Sequence, residues 1–160
     1  GSAGSSEKCE WLENELSIDV AINYKEGVLR KNLKAAATQG IDVYFENVGG
    51  EHLDAALPRM NVGGRIPVCG MISAYNNFGA RSTGVTTLSN MVYQRITMRG
   101  FVVTDFEEKR EKFLDDMRGW VADGQMKYRE TVFEGIEQAA DALIGLFTGE
   151  NIGKALVKLD

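Results

Sequence analysis

Two apolar runs in this chain break off in nearly the same manner, and that repeated ending restricts the fold more than any other feature. The first is IDVYFENVGG, Ile41 to Gly50, and the second is RIPVCGMISAYN, Arg65 to Asn76. Each run stops in a polar, glycine-bearing turn. The first turn leads directly into the helix-like stretch EHLDAALPRM. A strand that feeds a helix through a glycine turn is the βα unit of a parallel sheet. In open α/β sheets a ligand sits just beyond the carboxyl ends of such strands. Asn47, Val48, Gly49 and Gly50, with Cys69, Gly70, Met71, Ile72 and Ser73, therefore fall where a nucleotide or substrate would lie.

The rest of the chain reads as alternating helix and strand. Helical stretches are expected at Glu7 to Leu16, Val28 to Ala37, His52 to Met60 and Phe106 to Ala122, with Pro58 ending or kinking the third. Strands are expected at Ile18 to Tyr24, Ile41 to Glu46, Arg65 to Cys69 and Ile96 to Val103. A glycine-rich loop runs from Ala74 to about Thr87, and a helix starts near Leu88. This alternation points to a parallel sheet covered on both faces. The last third differs: a short strand at Lys127 to Phe133, a helix at Ile136 to Thr148 and a closing strand at Ala155 to Leu159 pair with something other than the main sheet. A boundary near Gly124 divides residues 1–124 from 125–160.

Composition excludes several functions. At 160 residues the chain can form a domain with its own core, and a net charge of −5 disfavours nucleic acid or an anionic membrane as partner. No apolar run approaches the roughly 18 residues of a membrane-spanning helix, and no signal-peptide pattern is present. Two cysteines, Cys9 and Cys69, are too few for a disulfide framework. With His52 as the sole histidine and no Cys-x-x-Cys, a metal site is not expected. The expectation is a soluble, cytoplasmic, metal-free protein.

Six segments in series then carry a resemblance over almost the whole chain: AGSSEK (Ala3 to Lys8), INYK (Ile22 to Lys25), IDVYFENVGG, RIPVCGMISAYN, RGFVV (Arg99 to Val103) and GENIGKALVKL (Gly149 to Leu159). Each is weak alone. Together they resemble the zinc-independent medium-chain dehydrogenases/reductases, nearest to the alkenal/one double-bond reductase group. That group includes the leukotriene B4 dehydrogenase/oxoprostaglandin reductases and bacterial NADP-dependent or quinone oxidoreductases. The resemblance implies the α/β class, with a partial Rossmann-type doubly wound parallel sheet that lacks its first two strands. Residues 1–124 would be this partial NADP-binding domain. Residues 125–160 would return to a GroES-like catalytic domain that lies upstream in such proteins. The glycine-rich phosphate turn also lies upstream there, and no G-x-G-x-x-G occurs at a strand-to-helix turn here. A Gly-Ser start is common in cloning remnants, but its continuation into Ser5-Ser6-Glu7-Lys8 matches the family's turn after strand two.

The site roles follow from the resemblance, each beside a plainer reading. Lys8 would hold the 2′-phosphate of NADP(H) at a helix start, and Tyr24 would lie beside the same phosphate. Otherwise they are a solvated lysine and a half-buried packing tyrosine. Asn47 and Val48 would pass near the nicotinamide ribose, or form only a tight turn. Cys69, Gly70, Met71, Ile72 and Ser73 would line the cofactor, although Cys69 reads equally well as a small buried hydrophobe. Phe101, Val102 and Val103 would hold the nicotinamide carboxamide through backbone groups, and Asn151 would return toward the cofactor. A buried strand and a helix-to-strand turn explain these last four nearly as well. Tyr75 is the catalytic candidate, since a phenol can donate to a carbonyl oxygen without carrying charge; its plainer reading is loop packing.

The implied reaction is NADPH-dependent reduction of the C=C bond of an enone or enal, with a quinone as the alternative substrate. The edge strand Ile96 to Val103 would pair two copies into a homodimer. A third reading, of a different kind, is that the isolated chain is an inactive folding or dimerisation fragment.

Overall fold

The computed structural model describes residues 1–75 and 84–159. The expected loop Ala74 to Thr87 is thus seen only at its two ends, and Asn76 lies outside the described residues. The chain divides into two compact units, Tyr24–Arg110 and Gly1–Asn23 with Glu111–Asp160.

The larger unit holds a three-stranded parallel sheet in the order β3-β4-β5, with β3 at Ile41–Val43, β4 at Met60–Val68 and β5 at Thr97–Gly100. Helix α2 (Leu29–Ala36) precedes β3, and α3 (Gly50–Ala56) links β3 to β4. Pro58 acts as expected: the α-helix stops at Ala56, and a single 3-10 turn, Leu57–Arg59, carries the proline. β4 starts at Met60 rather than Arg65, because Asn61 to Gly64 are absorbed as a bulge between the pairs Ile41–Met60 and Val43–Arg65. Beyond Val43 the first run continues through a bridge between Glu46 and Val68.

The core of this unit is Leu53, Leu57, Met60, Ile66 and Ile96, with Tyr44, Val68, Met91 and Met98 packed against it. Leu57 is 0% and Ile66 1% exposed. Burial of such a side chain contributes about 1.5–3 kcal/mol, so α3, its 3-10 extension and β4 are the elements that hold the sheet together. The helix expected near Leu88 shrinks to α5 (Asn90–Tyr93), preceded by α4 (Ile72–Tyr75). Asp54 in α3 anchors the returning chain, accepting from the backbone N–H groups of Thr86 at 2.6 Å and Thr87 at 2.9 Å and from both hydroxyls. Burial alone would raise its pKa; those hydrogen bonds turn the net shift downward.

The smaller unit starts with β1 (Ser2–Ala3) and α1 (Ser6–Asn14), whose N-cap Ser5 accepts from the Lys8 N–H at 3.3 Å. The expected strand Ile18 to Tyr24 contracts to β2 (Ile22–Asn23), and β2 pairs in parallel with β1. Strand three of the expected order therefore does have a two-residue neighbour. Helix α6 (Arg110–Ala122), which begins at the unit boundary, is entered through a 3-10 stretch, Val103–Lys109. In the last third β6 (Glu130–Glu134) and β7 (Lys154–Lys158) pair with each other in parallel over five residues, with α7 (Ala139–Thr148) as the crossover. Leu143, Ile144, Leu146 and Phe147 of α7 are all exposed. Among the described residues no helix is long and apolar enough to cross a membrane.

Candidate functional site

The two strand endings that dominate the sequence are joined to each other. Glu46 donates its N–H to Pro67 O at 2.9 Å, and its carbonyl accepts from Cys69 N–H at 2.9 Å and Gly70 N–H at 3.2 Å. The next two carbonyls continue the ladder: Asn47 O accepts from Ile72 N–H and Val48 O from Ser73 N–H, both at 3.0 Å. Asn47, Val48 and Cys69 to Ser73 thus form one rim at the carboxyl ends of β3 and β4.

The first turn is shaped from below. Tyr44 and Glu46 share one face of the first run by strand alternation, while Val43 and Phe45 on the other face are exposed. Glu46 is 0% exposed, and its Oε1 accepts from Val48 N–H at 2.6 Å and Gly49 N–H at 2.8 Å. A hydrogen bond to a charged acceptor contributes about 1.5–3 kcal/mol, and these two close the turn before α3. Gly49 adopts φ 74°, ψ −159°, a region that side-chain-bearing residues avoid. A Cβ there would stand 3.2 Å from Met71 Cβ and 3.3 Å from Ser73 Oγ, so the glycine also sets the close approach of the two endings.

Tyr75 folds back over the second ending. Its hydroxyl accepts from Met71 N–H at 3.3 Å, and a Cβ on Gly70 would meet that oxygen at 3.0 Å. The backbone donor occupies a lone pair and leaves the phenolic O–H free to donate elsewhere. The ring is 49% exposed, open to a ligand at the rim. Cys69 is an exposed thiol rather than a buried hydrophobe, Cys9 is buried, and neither is in a disulfide.

The remaining candidates take no part in these hydrogen bonds. Phe101 extends the β5 pairing by donating its N–H to Val68 O at 3.2 Å, but its ring stacks edge-on with Phe45 and Phe106. Phe101 and Phe106, together with Val43, Arg65, Pro67 and Arg99, line a hollow of about 350 Å³ on the sheet face. Val102 and Val103 are exposed, and Val102 N–H is held by Asp105 at 3.2 Å. In the smaller unit the Lys8 ammonium donates to Gly149 O at 2.5 Å, and the Asn151 amide donates to Gly153 O at 2.6 Å within its own turn.

Sequence reasoning passed over Glu46, Tyr44 and His52. Burial, with the Glu46 carboxylate beside it, pushes the Tyr44 hydroxyl far above the usual phenol range, so it stays protonated. His52 packs edge-on against Tyr24 at 5.0 Å, and burial lowers its pKa, partly offset by the carboxylates of Glu46 and Glu51. The one available signal was an acidic residue at an inward strand position just before Asn-Val-Gly-Gly. The lowered histidine has a consequence for stability. An unfolded chain binds a proton near the ordinary value of 6.5, whereas the folded imidazole resists it. The His52 contribution is complete above that pH and is lost as pH falls through the lower folded value. His52→Phe keeps the ring against Tyr24 and should flatten the decline in urea midpoint between neutral and mildly acidic buffer; parallel declines in both proteins would remove His52 from the explanation.

A parallel α/β sheet whose joined strand ends form a glycine-rich rim defines the nucleotide-binding type of α/β protein. The profile of the zinc-binding dehydrogenase family matches residues 1–118, and the chain belongs to that family. It is 44% identical over 160 residues to prostaglandin reductase 1 of Bos taurus, covering 99% of this chain and 48% of that protein. It is 46% identical over 158 residues to the NADP(+)-dependent 2-alkenal reductase of Nicotiana tabacum, covering 98% and 46%. Among solved structures, CurA of Vibrio vulnificus in complex with NADPH superimposes with a TM-score of 0.92 at 38% identity, over 100% of this chain and 49% of that one. The chain therefore spans about half the length of these relatives, and the part it matches is their C-terminal one. These are proteins of the reductase group that the sequence motifs resemble.

Proposed function

We propose that this chain is the C-terminal portion of an NADPH-dependent oxidoreductase that reduces the C=C bond of α,β-unsaturated aldehydes and ketones. The observation that carries the reading is the seating of the Tyr75 hydroxyl on Gly70, polarised by Met71 N–H, at the rim formed by the two strand endings. The names of the tobacco and bovine relatives and the NADPH complex of CurA point the same way.

The residues fit the cofactor's donor requirements. Lys8 puts a cation in the first turn of α1, and Tyr24 follows β2 directly; these would hold the 2′-phosphate. In this reading Lys8 exchanges Gly149 O for phosphate oxygen. Asn47, Val48 and Cys69 to Ser73 would face the nicotinamide ribose, and the backbone of Phe101 to Val103 the carboxamide. Asn151 would approach from the segment beside Gly153. NADPH, when bound, supplies the hydride. The protein's part is to hold the acceptor's β-carbon in line and to stabilise charge on the carbonyl oxygen. Tyr75 would donate its free O–H to that oxygen as enolate character develops, and a proton from solvent at the exposed rim would reach the α-carbon to complete the reduction.

The family's description refers to zinc, but among the described residues no group of three or more His, Cys, Asp or Glu could hold a metal. The residues do not fit such an ion, and no step is routed through one. The motif resemblance supports a zinc-independent enzyme. Two cysteines outside any disulfide support a cytoplasmic setting. The position of β5 at the end of the β3-β4-β5 order supports homodimerisation through Ile96–Val103. The exposed apolar residues of α7 support a boundary near Gly124, beyond which residues 125–160 pack on a further domain.

Full-length protein should oxidise NADPH faster with an enone such as methyl vinyl ketone than with a benzoquinone; the reverse order would favour a quinone reductase. The 160-residue chain alone, spanning half the relatives' length, should bind NADPH weakly and turn over nothing. Micromolar affinity by calorimetry would overturn that part.

A further inference from the structure

The residue that ties the rim together has no role in the reading above. Glu46 is fully buried at an inward strand position, where an apolar side chain would suffice for packing alone. It is instead bonded in two directions at once. Its carboxylate Oε1 holds Val48 and Gly49 N–H, while its backbone holds Pro67, Cys69 and Gly70. The carboxylate therefore shapes the first ending, and the same residue's main chain carries that shape to the second. Its other oxygen, Oε2, is also buried, and the Tyr44 hydroxyl lies against the same carboxylate. Tyr75 stands at the far end of this chain of contacts, through Gly70 and Met71.

We infer that Glu46 is a positioning residue: its carboxylate sets the height of the rim, and so of the Tyr75 hydroxyl, relative to the reacting atoms. The inference rests on the proposed reductase reading for what the rim does, but the linkage between the two endings can be measured without it.

The experiment compares Glu46→Ala and Glu46→Gln with wild type in the full-length protein. Amide hydrogen exchange reads the linkage directly. Glu46→Ala should raise exchange at Val48, Gly49, Cys69 and Gly70 together, whereas Glu46→Gln, which keeps an acceptor oxygen, should leave all four protected. With NADPH and methyl vinyl ketone, Glu46→Ala should lower kcat by about tenfold to a hundredfold, the usual effect of misplaced reactants. NADPH affinity should change far less. With NADPH deuterated at the transferred position, the isotope effect on kcat should rise in Glu46→Ala and revert in Glu46→Gln. A merely structural role would lower kcat only in proportion to the folded fraction, with the isotope effect unchanged, and that result would overturn the inference. So would exchange confined to Val48 and Gly49, since the two endings would then be independent. If the wild-type protein reduces no enone, the functional reading fails, while the exchange pattern still decides the role of Glu46.

Discussion

Tyr75→Phe in the full-length protein is expected to lower kcat for enone reduction by roughly 10- to 100-fold while leaving NADPH affinity nearly unchanged. Loss of one preorganised donor to a developing oxyanion costs about 10²–10³ in kcat where the site is sealed from water. Tyr75 is 49% exposed, so water can replace part of the lost donor and the effect should fall at the lower end of that scale or below it. Phenylalanine keeps the ring but lacks the oxygen that sits against Gly70. The bond from Met71 N–H and the free O–H disappear with it. Steady-state kinetics with a direct NADPH titration separate the two quantities. A kcat within twofold of wild type would return Tyr75 to plain loop packing.

The second large effect is expected at Gly49. Gly49→Ala places a Cβ on a backbone conformation that essentially only glycine adopts, which costs about 1–3 kcal/mol. The same Cβ lies 3.2 Å from Met71 Cβ, beside backbone already committed to the Asn47–Ile72 bond. Relief would require the two endings to separate. Both the urea midpoint and NADPH affinity should therefore fall. Gly124→Ala is the control: its φ is also positive, at 67°, but a Cβ there meets nothing within 4 Å. The excess loss at Gly49 over Gly124 measures the close approach of the endings, and equal losses would show that the rim is not tightly packed.

Much of the fold was legible because its signals are local. Apolar runs ending at Gly49-Gly50 and at Gly70 marked β3 and β4 with their βα turns, and Pro58 marked the end of α3. Strand lengths were less legible. Ile18 and Val20 carry strand-forming side chains, yet β2 keeps only Ile22 and Asn23, because its β1 partner is two residues long. β4 begins five residues early because pairing with Ile41 recruits Met60 across a bulge. Within the candidate site the rim residues could be named from their position after strands. The buried acid beneath them could not, since a glutamate at a strand end is more often solvated.

From the sequence alone came the βα order, the parallel sense of the strands, the location of the rim and the resemblance to the reductases. Each depends on periodicity, turn residues or motif order within short windows. The tertiary structure decided what those windows do not contain. It buried Glu46 between two endings more than twenty residues apart, brought Tyr75 back over Gly70, and spent the Lys8 ammonium on a carbonyl 141 positions away. Hydrogen-bond partners of that kind are chosen by which backbone groups the packed sheet and helices leave unsatisfied, and local sequence does not record that choice.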